Sequence, residues 1–156
     1  MVRSNRPATA STPSHVTPTE GGVAVPLGPA SGSVLGRRPW APPVRGPLVV
    51  LCGFHPPAHR WLPGHRGVDL AAGLGQAIRS AGPGTVTFAD VLAGRGVVVV
   101  EHARGLRTTY EPLTTAVTVG QHVDLGEVLG WIDTGPGHCG GPVHCLHWGL
   151  LRGRVY

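Results

Sequence analysis

The sequence predicts an all-β fold made of short antiparallel strands, preceded by a disordered N-terminal arm. Short apolar segments alternate with clusters of Gly and Pro such as AGPG, AGRG and GPGHCGGP, which is typical of strands joined by tight turns. No stretch of about ten residues shows a helical period. The first residues are rich in Pro, Ser, Thr and Gly without any repeat, a composition typical of disorder. We therefore predict a disordered arm over 1–37 and one folded domain over 38–156.

Individual strands follow from the apolar segments between these turns. The predicted strands cover 48–53, 76–80, 85–90, 96–102, 106–113, 127–133 and 143–151. The run VVVV at 97–100 does not alternate between apolar and polar residues, which indicates a strand that is buried on both faces.

Composition limits the classes of partner. The chain has 156 residues, enough for one domain with a real core, and its 13 basic residues are all Arg against 8 acidic residues, for a net charge of +5. Such a charge suits polyanionic surroundings, whether nucleic acid, anionic lipid or an acidic cell-wall polymer. The arginines are scattered through Gly-rich turns, without a basic helix or an aromatic stacking platform, so we predict no nucleic-acid partner.

Membrane and export signals are not evident in the sequence. The longest apolar runs, LVVLCGF and VVVV, are far shorter than the roughly 20 residues of a membrane-spanning helix, so we predict no membrane span. The N-terminal segment MVRSNRPATASTPSH carries positive charge, but no apolar segment of the kind found in secretory signals follows it.

Two distant segments carry residues of the kind that bind zinc. His65 and Asp69 form H-x-x-x-D in GHRGVDLAA, and His147 lies in the segment CLHWG. Two imidazole nitrogens and a carboxylate oxygen can hold zinc at about 2.0–2.2 Å and leave a fourth position open, as catalytic zinc sites do. Alternate residues of a strand share a face, so Cys145 points to the same side as His147. Each motif is weak alone, because most H-x-x-x-D pairs occur by chance and His147 by itself is better explained as a core histidine bonded to a backbone carbonyl.

Read in order, the segments GHRGVDLAA, AGPGTVTFAD, GRGVVVVEHARGLRTTYEPL, VGQHVDLGEVLGWID and CLHWGLLRG resemble the lysostaphin and LytM-type zinc endopeptidases of bacterial cell walls, from about residue 40 to the end. The resemblance implies that His65, Asp69 and His147 bind Zn²⁺, and that the fold is a β-sandwich-like antiparallel sheet with a groove. It further implies hydrolysis of peptide bonds in peptidoglycan and a location at the cell envelope or outside the cell. We expect a monomer.

The chain departs from this family beside the expected metal. Cys145 stands where the first His of the family's H-x-H motif is expected, and Pro112 of YEPL takes the place of the His in Y-x-H-L. Glu111 and Cys145 are therefore the candidate catalytic residues. Cys145 has three open interpretations: a fourth zinc ligand that closes the site, a bystander thiol, or a disulfide partner of Cys139. The alternative to an enzyme is a catalytically impaired module that binds zinc or the cell wall and regulates another protein.

The remaining cysteine, histidine and tryptophan residues receive simpler predictions. Cys52 in LVVLCGF is expected to be a small buried apolar residue. Trp61 and Trp148 are expected to pack in the core, with Trp148 facing away from His147. His102 is predicted to be structural. His138 and His144 are predicted to lie near the site without a role in it, with spare ligand or proton carrier as the alternative. The segment VTVGQHVDLGEVLGWID has the alternation of a biotinyl or lipoyl carrier hairpin, but the chain has no Lys to carry such a cofactor.

Overall fold

The computed structural model of the chain describes residues 40–59, 61–134, 139, 143–153 and 155. The arm predicted over 1–37 lies outside the described residues and stays a prediction, as does the boundary of the folded domain. Within the described ranges the fold is all-β, with ten strands and a single 3-10 turn at Ala103–Gly105. The strands are β1 Val50–Cys52, β2 Val68–Ala71, β3 Ala77–Arg79, β4 Gly84–Leu92, β5 Arg95–Glu101, β6 Leu106–Glu111, β7 Leu113–Thr115, β8 His122–Val123, β9 Val128–Ile132 and β10 Cys145–Arg152.

These strands form two antiparallel sheets. The larger sheet has the order β1-β2-β10-β6-β5-β4-β8, and the smaller sheet has the order β3-β9-β7. Consecutive strands β4, β5 and β6 form a meander, whereas β10 inserts between β2 and β6 from the far end of the chain. This insertion brings the segment around residue 147 beside the segment around residue 69. In the part of the chain that the structure describes, no helix is long and apolar enough to cross a membrane.

The hydrophobic core lies between the two sheets. Strands of the larger sheet turn one face inward, where the members of the core cluster include Leu70, Val86, Val98, Val100, Tyr110 and Leu146. The smaller sheet contributes its own buried residues, Ile78, Leu113, Leu129 and Ile132. Full burial of each such side chain contributes about 1.5–3 kcal/mol. The other face of the larger sheet is thereby left for a groove.

The run VVVV is buried largely as predicted. Val98 and Val100 lie in the core, while Val97 and Val99 line the groove on the opposite face. Val97 is buried and Val99 is half-buried. The run 97–100 therefore contains no polar residue because β5 is packed on both of its faces. His102, at the end of this strand, is buried and hydrogen-bonded to the Pro83 carbonyl at 2.8 Å, which confirms its structural role.

Three elements were not predicted as separate strands. The predicted strand over 106–113 is divided at Pro112 into β6 and β7, which belong to different sheets. Proline has no N–H to donate to a sheet ladder, so this is a natural point for the chain to leave the larger sheet. Strand β8 has only two residues, and β2 contains Asp69 and Ala71, two residue types with low strand preference. Their pairing with neighbours, rather than their composition, makes them strands.

A buried hydrogen-bond network centred on Tyr110 links the core to the turn before β4. The Ala81 N–H donates to the Tyr110 hydroxyl at 2.9 Å, and the hydroxyl of Thr108 lies 2.8 Å from the same oxygen. Burial raises the pKa of the Tyr110 phenol above its ordinary value of 10.0, and its hydrogen bonds partly oppose that rise.

We expect Tyr110→Phe to lower the free energy of unfolding by about 1–3 kcal/mol, because the buried Ala81 N–H loses its acceptor. Since the folded-state pKa is raised, the stability contributed by protonated Tyr110 is complete below pH 10.0 and is lost as the pH rises through the higher folded value. Urea unfolding at neutral and at alkaline pH measures both effects. An equally stable Phe variant at neutral pH would contradict the role given to the network.

Candidate metal centre

A row of polar side chains crosses four neighbouring strands on the groove face of the larger sheet. Asp69 on β2 is the register partner of both Cys52 on β1 and His147 on β10, and His147 is in turn the partner of Glu111 on β6. Residues directly opposite one another in antiparallel strands have neighbouring side chains on the same face. His65 reaches this row from the loop before β2. The topology therefore gathers residues from widely separated parts of the sequence.

His65, Asp69 and His147 converge on one point. The Asp69 Oδ1 atom lies 3.0 Å from His65 Nε2 and 2.8 Å from His147 Nδ1, and the two ring nitrogens are 3.1 Å apart. Asp69 and His147 are buried and His65 is half-buried. Ligands of a tetrahedral zinc at about 2.0–2.1 Å lie about 3.3 Å from one another, so these atoms need to separate only slightly to share an ion. Two imidazoles and a carboxylate form a donor set that fits zinc.

The backbone fixes the orientation of the His65 ring. His65 Nδ1 lies 2.5 Å from the carbonyl oxygen of Gly53, and His55 and His65 exchange two backbone hydrogen bonds at 3.0 and 2.9 Å. A carbonyl oxygen only accepts hydrogen bonds, so Nδ1 carries the proton and donates it. In the neutral ring this leaves the lone pair on Nε2, directed at Asp69 and His147. Such an outer partner is the usual way in which a protein selects the tautomer of a metal-binding histidine.

Gly67 leaves the space that the His147 ring occupies. A Cβ atom at position 67 would lie 2.8 Å from both Cε1 and Nε2 of His147 and 2.6 Å from the carbonyl oxygen of Trp148. Non-bonded carbon atoms do not approach so closely, and the backbone carbonyl cannot move aside cheaply. The glycine in GHRGVDLAA is therefore required by the packing of His147, which lies far away in sequence.

We expect Gly67→Ala to displace the His147 ring and to weaken zinc binding by about 10–100-fold, the range seen when groups that orient a ligand are lost. The overpacking should also cost about 1–3 kcal/mol of stability. Zinc titration with a competing chelator measures the first effect. Gly75→Ala is a useful comparison for glycine replacement outside the centre, because its Cβ would meet no atom within 4 Å, although its positive φ adds some strain. Unchanged zinc affinity in Gly67→Ala would contradict this packing argument.

An ion pair lies in the groove beside His147. Arg95 Nε donates to Glu111 Oε2 at 2.8 Å, and the two side chains are 27% and 13% exposed. Both residues line a groove of about 540 Å³ that begins at His147 and runs over β6, β5 and β4. The remaining groove residues are Thr87, Phe88, Leu92, Val97, Val99, Glu101, Arg107, Thr109 and Leu151. Arg95 was not predicted as a site residue, because its contact with Glu111 depends on how β5 and β6 pair.

Cys145 is bonded to Cys139. The structure contains this disulfide, and its two sulfurs lie within 4.8 Å of an Asp69 carboxylate oxygen. Of the three interpretations left open for Cys145, the structure therefore has the disulfide. A disulfide sulfur carries no proton and is no thiolate ligand, so neither a zinc-binding nor a proton-transfer role is available to Cys145 in this oxidised state.

The other predictions near the site have mixed outcomes. The prediction of a buried Cys52 is wrong: its thiol is free and exposed, because β1 is an edge strand with β2 as its paired neighbour. Trp61 is also outside the core, 75% exposed and stacked on His59, whereas Trp148 packs partly buried against the core as predicted. His144 is exposed, and His138 lies outside the described residues.

Known proteins share sequence with this chain. The model of peptidase family M23 matches residues 63–155. An uncharacterized protein of Mycobacterium tuberculosis is 47% identical over 117 residues, which cover 75% of this chain and 46% of that protein. The DD-carboxypeptidase/endopeptidase Mpg of Neisseria meningitidis is 35% identical over 89 residues, 53% of this chain and 20% of Mpg. The chain thus spans less than half the length of these curated relatives.

Solved structures share the fold. A zinc-containing peptidase from Vibrio cholerae superposes with a TM-score of 0.64 at 25% identity, covering 76% of this chain and 38% of that one. Lysostaphin superposes with a TM-score of 0.54 at 22% identity, over 67% of this chain and 44% of lysostaphin. The fold expected from the resemblance is confirmed. With a family match that covers more than half of its length, this chain belongs to peptidase family M23.

Proposed function

We propose that this chain is a zinc-dependent endopeptidase that cleaves peptide bonds of bacterial peptidoglycan at the cell envelope. The observation that carries the proposal is the convergence of His65, Asp69 and His147 within 3.1 Å of one another at one end of an open groove. In the proposal these three residues hold Zn²⁺. When bound, zinc supplies Lewis acidity, which polarises a scissile carbonyl and lowers the pKa of a bound water to about 7.

In this proposal the groove orients an extended peptide across the sheet. Its walls combine apolar side chains, such as Phe88 and Val99, with the hydroxyl groups of Thr87 and Thr109. Such a surface suits a flexible peptide with alternating polar and apolar groups. The formal charge of +5 adds an attraction to the anionic polymers of the cell wall.

Glu111 is proposed as the proton acceptor. It stands beside His147 in the register of β6 and β10, and its carboxylate faces the groove with Oε2 bound to Arg95. The guanidinium of Arg95 holds the carboxylate in place through this contact, so that it can accept a proton as a general base does. Arg95 is thus a positioning residue. This arrangement would supply a base in a chain where Pro112 and Cys145 replace the two histidines expected from the family resemblance.

A second candidate is a regulatory module that binds zinc or the cell wall without cleaving it. The same two replacements favour it, and so does a relative that is named as an activator of a hydrolase. The murein hydrolase activator EnvC of Escherichia coli is 33% identical over 109 residues, which cover 68% of this chain and 25% of EnvC. In this candidate the groove docks a peptide but no proton acceptor is engaged.

One experiment separates the two candidates. Purified protein with its disulfide intact is loaded with zinc and incubated with purified peptidoglycan, and the released fragments and new amino termini are followed by mass spectrometry. The peptidase proposal expects new amino termini that disappear when the metal is chelated. If the protein co-sediments tightly with peptidoglycan but releases no new amino termini, the peptidase proposal is overturned and the regulatory module is favoured.

A further inference from the structure

We propose that the free thiol of Cys52 is a fourth zinc ligand, which closes the metal centre in the resting protein. The inference rests on the zinc site proposed above and adds a residue to it. The Sγ atom of Cys52, a ring nitrogen of His65 and a carboxylate oxygen of Asp69 all lie within 4.8 Å of one another. Thiolate is among the preferred ligands of zinc, which it binds at about 2.3 Å.

An irregularity in β1 turns Cys52 toward the metal centre. Val50 pairs with Leu70 and Cys52 pairs with Asp69, so two steps along β1 correspond to one step along β2. Residues two apart in a regular strand share a face, and Cys52 would then lie on the face of Leu70, away from the centre. The bulge reverses this. Bulges frequently occur at sheet edges and beside active sites, where they redirect a side chain.

The loop after Cys52 is tied to the first ligand. The Gly53 carbonyl oxygen accepts from His65 Nδ1 at 2.5 Å, and His55 pairs with His65 through two backbone hydrogen bonds. The residue after Cys52 therefore orients a zinc ligand directly. This connection keeps the thiol near His65 although β1 itself lies at the edge of the sheet.

The distances allow coordination after a small adjustment. The 4.8 Å limit applies to the Cys52 sulfur and the ligand atoms of His65 and Asp69, two of the three proposed zinc ligands. In a tetrahedral zinc site a sulfur and a nitrogen ligand lie about 3.6 Å apart, so a shift of about 1 Å brings the sulfur to coordination distance from these two. An exposed edge strand can move that far without disturbing the core. With zinc bound, the Cys52 thiol would release its proton to solvent, and its thiolate would take the position that His65, Asp69 and His147 leave open. Four protein ligands make a closed site, so cleavage requires that a substrate displace the sulfur.

Two features of the chain make the inference testable without an activity assay. The other cysteines, Cys139 and Cys145, are joined in a disulfide, so Cys52 is the single reactive thiol under non-reducing conditions. Val50 offers a matched control, since it lies on the same edge strand but pairs with Leu70 on the opposite face.

The test compares wild type, Cys52→Ala and Val50→Ala loaded with zinc or with cobalt(II). We expect zinc to slow alkylation of wild-type Cys52 by iodoacetamide at least about tenfold. Loss of the sulfur should weaken zinc binding by about 10–100-fold in Cys52→Ala, and Val50→Ala should bind as wild type does. The cobalt form of wild type and of Val50→Ala should show a near-ultraviolet thiolate-to-cobalt charge-transfer band that Cys52→Ala lacks.

The failures are distinguishable. If wild type and Cys52→Ala take up zinc with the same affinity and neither cobalt form shows the band, the fourth-ligand inference is overturned while the three-ligand centre stands. Protection from alkylation without the band means that zinc shields the thiol without binding it, which also overturns the inference. If wild type takes up no metal, both the proposed function and the inference fall.

Discussion

Replacement of Asp69 by Asn is expected to reduce the zinc content of the purified protein from about one ion per chain to near zero. Asp69 contacts both other ligands, with Oδ1 2.8 Å from His147 and 3.0 Å from His65, and it supplies the negative charge of the donor set. A neutral amide oxygen is a much weaker zinc ligand. The decrease in zinc affinity should therefore exceed the roughly 10–100-fold decrease that follows removal of a group that only orients a zinc ligand.

Two measurements check this expectation. Elemental analysis after dialysis gives the metal content, and thermal unfolding with and without zinc gives the stabilisation by binding, about 2.7 kcal/mol at a free zinc concentration of 100 times Kd. The variant should show no such stabilisation. Asp90→Asn is a suitable control, because Asp90 is exposed on β4 and accepts from the Val91 N–H. Full zinc content in Asp69→Asn would remove the proposed centre and the peptidase with it.

Replacement of Glu111 by Gln should lower peptidoglycan hydrolysis by about 10²–10⁴-fold, the usual contribution of a general base, while the zinc content stays unchanged. The amide keeps the size of the side chain and can still accept a hydrogen bond from Arg95, so the groove should keep its shape. The carboxylate is lost, and with it the capacity to accept a proton.

The release of new amino termini from peptidoglycan gives the rate, and elemental analysis gives the zinc content of the same preparation. Glu101→Gln is the matched control, because Glu101 lines the same groove on β5 and is given no role in the chemistry. Wild-type rates in Glu111→Gln would exclude Glu111 as the base and leave the replaced histidines without a substitute. A parallel loss of zinc would instead place Glu111 among the groups that hold the centre together.

Local sequence patterns predicted much of the sheet. The valines at 97–100, the alternation in 127–133 and the turn signal AGPG each lead to an observed strand or turn, because side-chain period and glycine conformation are properties of the local backbone. The strand that carries Asp69 was missed for the same reason: four residues of VDLA have no recognisable period. Its pairing with β1 and β10 makes it a strand.

The sequence by itself determined the fold class, the candidate zinc ligands and the departures at Pro112 and Cys145, since residue type and order along the chain carry that information. The tertiary structure alone decided which groups meet. It paired Arg95 with Glu111, joined Cys145 to Cys139, and brought Cys52 into register with Asp69 through a bulge in β1. The physical reason is strand register, because a slip of one residue moves a side chain to the opposite face, and register is set by long-range pairing that the local sequence does not encode.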